Sequence, residues 1–261
     1  MVTRGTDTLE ESALLVDVLV DTEKQVVFTA AMTATDEMSP DGPNHLRSAH
    51  RAAASPALNS LGTLACPDGR LQAARWVRKG HTHRTAALSS GTSPVATLDP
   101  DGVIRRMYDD LPRWTVPGGG AGNQPRSDDV PVPQAYSGMS ARAAHVALVE
   151  ATSPRGLVVD GFALGHVPES PRDAMNNMVA AGVVVVVSTR VPTGGTWEVY
   201  GGPGGGTDLA HLGVVGAGGL SAGKARLLLL ACLADHDKTT ARQLVQDGVT
   251  FLGRGAEGRT R

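Results

Sequence analysis

Four consecutive residues near the amino terminus combine a permissive backbone, two hydroxyls and a carboxylate: Gly5, Thr6, Asp7 and Thr8. They lie where a short apolar segment gives way to a helical pattern. In a parallel α/β sheet, ligands bind at this carboxyl end of a strand, beside helical N–H groups that favour anions. A hydroxyl there can serve as a nucleophile or proton relay, and a carboxylate can hold a substrate ammonium group. A purely structural interpretation is also open, in which Thr8 caps the helix and Asp7 complements its dipole.

A second candidate for chemistry is Lys79, which stands in the basic segment R-W-V-R-K-G-H-T at 75–82. A lysine accepts a proton only when burial or neighbouring cations favour its neutral form, and Arg75 and Arg78 are suitable neighbours. The structural alternative is a solvated basic loop. A nucleic-acid patch fits less well, because the surrounding chain is acidic and nearly lacks interleaved aromatic residues.

Two further patterns resemble ligand sites but are incomplete. His81 and His83 are spaced to share one face of a strand, yet no third metal ligand of matching spacing follows. The glycine-rich residues 202–206 lack the G-K-[ST] ending of a phosphate-binding loop, so we expect a mobile loop there. Neither pattern predicts a bound metal or cofactor.

The elements that must position these residues alternate between helical and strand patterns, which favours a parallel α/β architecture. A capping-box spacing between Thr8 and Glu11 predicts the start of the first helix, whose apolar stripe runs to Val20. Further helices are predicted at 44–54, 141–150, 172–181, 221–234 and 239–246. Strands are predicted at 25–31, 61–66, 156–160 and 182–188, with a hairpin at 95–107 around the turn D-P-D-G.

Composition excludes several broad classes of protein. The chain has 261 residues, of which 41% are hydrophobic and 19% charged, and a net charge of −2. It is therefore globular, without an overall positive field that would attract nucleic acid or an anionic membrane. No apolar run approaches the roughly 20 residues of a membrane span, and no apolar segment marks a secretory signal. Cys66 and Cys232 do not indicate a disulfide framework, so we expect a cytoplasmic protein.

A change in composition divides the chain into two parts. Residues 117–137 carry three successive glycines and several prolines, with few apolar residues in their first half. This pattern is typical of a linker. It predicts an N-terminal α/β domain at 1–116, a linker at 117–129 and a smaller C-terminal α/β domain at 130–255.

Seven segments of the chain, in the same order, resemble the bacterial L-asparaginase/glutaminase family. The first, V-T-R-G-T-D-T-L-E-E-S-A, is similar to the family's second signature, which normally ends H-G-T-D-T. The others are V-V-F-T-A-A-M at 26–32, S-P-D-G-P-N-H-L at 39–46, A-A-R-W-V-R-K-G-H-T at 73–82, G-L-V-V-D-G-F at 156–162, V-S-T-R-V-P-T-G at 187–194 and S-A-G-K-A-R-L-L-L-L at 221–230. One such segment would be weak, whereas seven in order indicate kinship.

The resemblance implies two parallel-sheet domains with helices on both faces, no cofactor, and hydrolysis of L-asparagine, with L-glutamine as a second candidate substrate. In this family a threonine attacks the substrate amide, and water resolves the acyl-enzyme to aspartate and ammonia. Thr6, Asp7 and Lys79 match the family's catalytic cluster, with Thr6 and Lys79 handling the proton and Asp7 holding the α-ammonium group. Ala31 matches a position whose backbone carbonyl contacts the side-chain amide. The family also implies a homotetramer built as a dimer of dimers.

The sequence departs from the family pattern at several positions. The family's first signature, T-G-G-T-I, lies upstream of the position of Gly5, so we expect the N-terminal domain to lack its first strands and the first catalytic threonine. The segment T-G-G-T at 193–196 is similar to this signature, but its context matches a loop of the C-terminal domain instead. Arg4 replaces a histidine, and Asp68-Gly69 stands where the family commonly has Asn-Asp. His166 replaces an asparagine that reaches a neighbouring subunit's active site.

These departures leave two alternatives to an active asparaginase. In the first alternative, the chain is a catalytically impaired remnant of the family, or a truncated gene model, and at most binds a small amino-acid ligand. On the sequence alone, little or no ammonia release is expected. A relative acting on another amide, such as glutaminyl-tRNA, would share the fold, but no additional RNA-binding region supports it.

Overall fold

The structure, a computed structural model, describes residues 1–91, 93–109, 111–119, 130–148 and 154–252. The chain divides into two compact units, Met1–Thr115 and Val116–Arg261. The predicted linker at 117–129 lies outside the described residues from 120 onward, as do 149–150 of a predicted helix and 253–255 of the predicted second domain. The domain bounds and the expected lack of first strands stay predictions.

A six-stranded sheet forms the first unit, in the order β1 (Val2–Thr3), β2 (Val26–Thr29), β3 (Thr63–Ala65), β4 (Arg70–Ala73), β7 (Ala96–Leu98) and β8 (Ile104–Arg106). The first three strands are parallel, but the others join antiparallel, so the sheet is mixed where the sequence predicts a parallel one. The reversal follows from the turn after β3, where Asp68 and Gly69 have φ of 51° and 78°. A turn this short returns the chain beside the strand it has just left, whereas a parallel neighbour needs a crossover.

Helices cover both faces of the parallel strands. The remaining elements of this unit are α1 (Leu9–Leu19), α2 (Gly42–Ala54) and a hairpin of β5 (Arg78–Lys79) and β6 (Leu88–Ser89). Successive residues of a strand point to opposite faces of its sheet. Val27 accordingly packs in a cluster with Ala49 of α2, whereas Phe28 packs in another with Leu9 of α1. Leu88 of the hairpin belongs to the α1 cluster, so the hairpin and α1 share one core.

The second unit is built on a parallel sheet in the order β11 (Val215–Gly216), β10 (Val184–Thr189) and β9 (Gly156–Gly161). Its helices are α3 (Ala141–Leu148), α4 (Glu169–Ala180), α5 (Gly206–His211), α6 (Ala222–Asp235) and α7 (Lys238–Leu252). Val185 and Val187 share a buried cluster with Met175 of α4. On the other face, a Cβ on Gly156 would lie 2.7 Å from Leu229, so α6 packs tightly against β9.

Local sequence signals predict some helix and strand ends and miss others. The predicted hairpin at 95–107 is confirmed by β7 and β8, and Ser221 caps α6 by accepting a hydrogen bond from the Lys224 N–H. The predicted capping box is wrong. The chain enters α1 through a 3₁₀ turn at Thr6–Thr8, and the Thr8 hydroxyl accepts a hydrogen bond from Arg4 Nε at 3.2 Å instead of capping the helix.

The glycine-rich residues 202–206, for which the sequence predicts a mobile loop, form a turn whose second half packs closely against neighbouring backbone. Gly204 has φ of 79°, and a Cβ there would collide with the Val167 carbonyl oxygen. The Asp208 carboxylate accepts a hydrogen bond from the Gly204 N–H at 2.9 Å and pairs with Arg172 of α4 through two further hydrogen bonds of 2.9 Å. Glycine is required here for close backbone approach.

The pairing of Arg172 with Asp208 predicts a pH-dependent contribution to stability. Hydrogen bonds from Arg172, and next from the Gly204 N–H, lower the pKa of Asp208 to about 2. The ionised carboxylate therefore stabilises the folded state above the pKa that it has when unfolded, and this contribution is lost as the pH falls from about 4 towards 2. We expect Asp208→Asn to lower the urea midpoint of unfolding at pH 7 and to match the wild type near pH 2.

The exposed Asp173 provides the control for this prediction. It also contacts Arg172, at 3.0 Å, but its side chain is 63% exposed, so Asp173→Asn should leave the midpoint nearly unchanged. An Asp208→Asn deficit that is the same at pH 7 and pH 2 would contradict the assignment.

Candidate active site

Thr6 and Asp7 lie just beyond the carboxyl end of β1. The backbone N–H of Arg4 donates to the Thr29 carbonyl at 3.1 Å, which continues the pairing with β2 past the last residue of the strand. Gly5 is extended, and the 3₁₀ turn that follows leads into α1. A Cβ on Gly5 would meet open space among the described residues. The chain thus turns from strand to helix at an edge with room for a ligand.

Lys79 reaches this edge from the β5–β6 hairpin. Its Nζ donates a hydrogen bond to Thr6 Oγ1 at 2.9 Å and another to Asp7 Oδ1 at 2.6 Å. Within the hairpin, Lys79 pairs with Leu88, which anchors the strand in the core beneath α1. The structure therefore brings together the three side chains that the sequence singled out for catalysis.

The ion pair of this site is covered on the lysine side and open on the acid side. The Lys79 side chain is 20% exposed, whereas that of Asp7 is 90% exposed. The hydrogen bond from Lys79, followed by its positive charge, lowers the pKa of Asp7, so Asp7 is an anion at neutral pH. Its second oxygen, Oδ2, accepts no hydrogen bond from a described residue and is available to a ligand.

Glu10 holds the backbone of Lys79 and is a site residue that the sequence candidates do not include. Its Oε2 accepts a hydrogen bond from the Lys79 N–H at 2.5 Å. Residues 6–10 therefore contact Lys79 three times, twice at the amine and once at the backbone. The only sequence signal for Glu10 is its place four residues after Thr6, which puts both on one side of the first helical turn.

Arg75 does not form the solvated basic loop that was one alternative for this segment. Only 8% of the residue is exposed, and burial lowers the pKa of its guanidinium despite the opposing charge of Asp17. The guanidinium donates to the Pro112 carbonyl at 2.9 Å and lies 4.8 Å from the Trp76 ring centre. Arg75 therefore stabilises the unit internally.

Ala31, the predicted contact for the substrate amide, lies just beyond the carboxyl end of β2. The parallel register pairs Thr3 with Thr29, so residues 4–6 and 30–32 leave the sheet at the same edge, and Ala31 is exposed there. The start of α2 holds this segment. His45 Nδ1 lies 2.8 Å from the Ala30 carbonyl, and the Asp41 carboxylate accepts the Met32 N–H.

In the second unit, the residues that the sequence singled out take other roles. Thr196 Oγ1 accepts a hydrogen bond from the Gly218 N–H at 2.8 Å, which agrees with the interpretation of 193–196 as a loop of the C-terminal part. His166 meets Tyr200 edge-on, with ring centres 5.1 Å apart. Both line an open cavity of about 570 Å³ beside the glycine-rich turn.

The two histidines after Lys79 organise a turn. His81 Nδ1 accepts hydrogen bonds from the N–H groups of His83 and Arg84, each at 3.3 Å, and the two imidazole rings meet edge to face at 4.5 Å. In the part of the chain that the structure describes, no three histidine, cysteine or acidic side chains are grouped to hold a metal ion.

Two family models match the chain in succession. One describes the N-terminal part of asparaginase and matches residues 1–108, and the other describes the glutaminase/asparaginase C-terminal domain and matches 129–245. A probable L-asparaginase of Deinococcus radiodurans is 32% identical over 241 residues, which cover 89% of this chain and 70% of that relative. The chain belongs to the asparaginase family. Membership makes it an amidohydrolase by lineage and confirms the predicted two-domain α/β class.

Other relatives of the chain carry different names. A probable periplasmic L-asparaginase of Haemophilus influenzae is 32% identical, covering 95% of this chain and 69% of that protein. A component of the glutamyl-tRNA(Gln) amidotransferase of Halobacterium salinarum is 29% identical, covering 92% of this chain and 58% of that protein. None of the described helices combines the length and hydropathy of a membrane span. The cytoplasmic location stays a prediction.

The contact between Lys79 and Asp7 predicts the titration of Asp7. Because the hydrogen bond and charge of Lys79 lower the pKa of that carboxyl, Lys79→Met should return it towards its usual value. The measurement is an NMR titration of the Asp7 carboxyl carbon. Lys24→Met, which removes an exposed lysine elsewhere in the unit, should leave the Asp7 titration unchanged. An unchanged Asp7 pKa in Lys79→Met would contradict the contact.

Proposed function

We propose that this member of the asparaginase family hydrolyses the side-chain amide of L-asparagine to L-aspartate and ammonia. The observation that carries the proposal is the 2.9 Å hydrogen bond between Lys79 Nζ and Thr6 Oγ1. It places a hydroxyl nucleophile within reach of a group that takes its proton, which is the arrangement that covalent catalysis requires. The sequence alone favours little turnover, and this assembled pair is the reason to propose turnover.

In the proposed reaction Thr6, which the resemblance assigns to proton handling, takes the part of the nucleophile: its Oγ1 attacks the amide carbon while the neutral amine of Lys79 takes the hydroxyl proton. The new C–O bond makes an ester, the C–N bond breaks, and the proton held by Lys79 leaves with the nitrogen as ammonia. Water then attacks the ester carbon and returns a proton to Thr6 Oγ1 as L-aspartate is released. The first proton transfer follows the 2.9 Å contact between Thr6 Oγ1 and Lys79 Nζ, and the proposed steps use no cofactor.

The substrate is oriented in this proposal by two groups beside the reacting pair. Asp7 binds the α-ammonium group through its exposed carboxylate oxygen, since the other oxygen is occupied by Lys79. The carbonyl of Ala31 accepts a hydrogen bond from the NH₂ of the substrate amide, and its exposure at the edge shared with Thr6 supports this role. Both contacts recognise a small amino-acid amide.

L-Glutamine is the second substrate to test. Relatives named as components of glutamyl-tRNA(Gln) amidotransferase share about the same identity with the chain as several L-asparaginases do. The reacting pair and the ammonium contact serve both amides, which differ by one methylene.

Ammonia release from the purified chain tests the proposal. We expect release from L-asparagine that falls at least about a hundredfold in Thr6→Ala and in Lys79→Met, because each removes one half of the proton-transfer pair. Thr8→Ala is the matched control, since it removes a hydroxyl from the same turn that bonds Arg4 and not Lys79. The same assay with L-glutamine compares the two amides.

The alternative function gives a different result in this assay. A catalytically impaired remnant would release no ammonia from either amide, although it would still bind L-aspartate in a calorimeter. Turnover that survives both Thr6→Ala and Lys79→Met would also overturn the proposed roles, because the reaction would then proceed without the pair.

We further propose that the chain forms a homo-oligomer, built as a dimer of dimers. The second unit exposes three large side chains within four residues: Trp197 at 62%, Val199 at 59% and Tyr200 at 57%. Monomeric proteins rarely leave large apolar patches in water. Light scattering after size-exclusion chromatography should give about four times the 27.0 kDa of one chain. A monomeric mass at micromolar concentration would count against the assembly.

A further inference from the structure

The segment after β2 is held by one carboxylate that makes four hydrogen bonds to it. The Met32 N–H donates to both carboxylate oxygens of Asp41, at 3.1 Å to Oδ1 and 3.0 Å to Oδ2. Asp41 Oδ1 also accepts hydrogen bonds from Thr33, at 3.2 Å from its N–H and 2.8 Å from its hydroxyl. The Asp41 side chain is only 10% exposed. Such a largely covered carboxylate, surrounded by donors from two adjacent residues, fixes the path of the backbone.

The geometry of the peptide bond carries this constraint to Ala31. The Met32 N–H and the Ala31 C=O belong to the same peptide unit, and the described residues contain no cis peptide. In a trans peptide the N–H and C=O point in opposite directions. Because Asp41 holds the N–H, the Ala31 carbonyl must point away from Asp41. Among the described residues, none donates a hydrogen bond to that carbonyl oxygen.

The preceding peptide is held by the same helix. His45 Nδ1 lies 2.8 Å from the Ala30 carbonyl, and His45 is only 4% exposed. Asp41 and His45 stand one turn apart at the start of α2, so both peptides that flank the Ala31 Cα are anchored to one rigid element. The orientation of the Ala31 carbonyl is therefore set before any ligand arrives.

The charge of Asp41 also strengthens the Ala31 carbonyl as an acceptor. An anion bonded to the N–H end of a peptide polarises it and increases the negative charge on its oxygen. Burial opposes ionisation of Asp41, but the hydrogen bonds from Met32 and Thr33 outweigh it, and the pKa of the carboxyl is lowered. A carbonyl oxygen can only accept hydrogen bonds, so it favours a ligand group that donates one. A primary amide has N–H donors, whereas an ester in its place has none.

We propose that Asp41 is a positioning residue that makes the site select amides over esters, by aiming the Ala31 carbonyl at the leaving nitrogen. This inference rests on the proposed function, because it assumes that the reacting amide binds beside Thr6 and Ala31. It adds to that function a source of substrate specificity that lies outside the reacting pair.

The test compares L-asparagine with the β-methyl ester of L-aspartate, which has the same ammonium and carboxylate groups but no N–H at the reacting carbon. We expect Asp41→Ala to lower kcat/KM for the amide at least about tenfold more than kcat/KM for the ester. Asp41→Asn should fall between Asp41→Ala and the wild type, because the amide oxygen of asparagine still accepts one N–H.

Glu37→Ala is the matched control. Glu37 Oε1 accepts the Ala34 N–H at 3.1 Å, so this variant removes the same kind of carboxylate contact three residues beyond Ala31. We expect its ratio of amide to ester kcat/KM to stay within about twofold of the wild type. If Asp41→Ala does not fold, as judged by circular dichroism, the comparison is made with Asp41→Asn.

The outcomes separate this inference from the proposed function. Equal losses for amide and ester in Asp41→Ala or Asp41→Asn would overturn the selective role and show that Asp41 serves the fold alone, while wild-type turnover would leave the proposed function intact. A wild-type chain that hydrolyses neither compound and does not bind L-asparagine would overturn both.

Discussion

One lysine ammonium holds the candidate site together. Lys79 is four-fifths covered, and a charge withdrawn from water needs hydrogen bonds or an opposite charge in compensation. Thr6 and Asp7 supply both, although they lie more than seventy residues earlier in the chain. Leu88 of the hairpin and Leu9 of α1 pack in one apolar cluster, which holds the hairpin beside the start of α1. Hydrophobic packing thus brings the segments together, and the ammonium then orients their polar groups.

The parallel register of β1 and β2 is the second constraint on the site. Because Thr3 pairs with Thr29, the backbone at Thr6 and the backbone at Ala31 emerge side by side. Two carboxylates at the starts of helices then hold the backbone around the site: Glu10 in the first turn of α1 accepts the Lys79 N–H, and Asp41 just before α2 accepts the Met32 N–H. The sheet brings the backbone at Thr6 close to that at Ala31, and the two carboxylates fix the orientation of the backbone at Lys79 and at Met32.

The sequence predicts the parts of this site whose chemistry resides in side chains. Thr6 and Asp7 are recognisable from residue type beside a strand end, whereas nothing local connects them with Lys79, and that link depends on resemblance to a family. Glu10 and Asp41 are not predicted from the sequence. They bind backbone N–H groups, which nearly every residue carries, so no pattern of residue types marks them. The reversal of chain direction after β3 is not predicted either, since it depends on the left-handed backbone conformation of Asp68.

In the proposed reaction Asp7 serves two cations, and this sharing couples substrate binding to proton transfer. In the structure its Oδ1 accepts a hydrogen bond from Lys79 Nζ at 2.6 Å. A substrate ammonium at the exposed Oδ2 competes for the same negative charge and adds a second positive charge nearby. In the proposed reaction, substrate binding at Asp7 therefore changes the partners of Lys79 at the place where Thr6 gives up its proton.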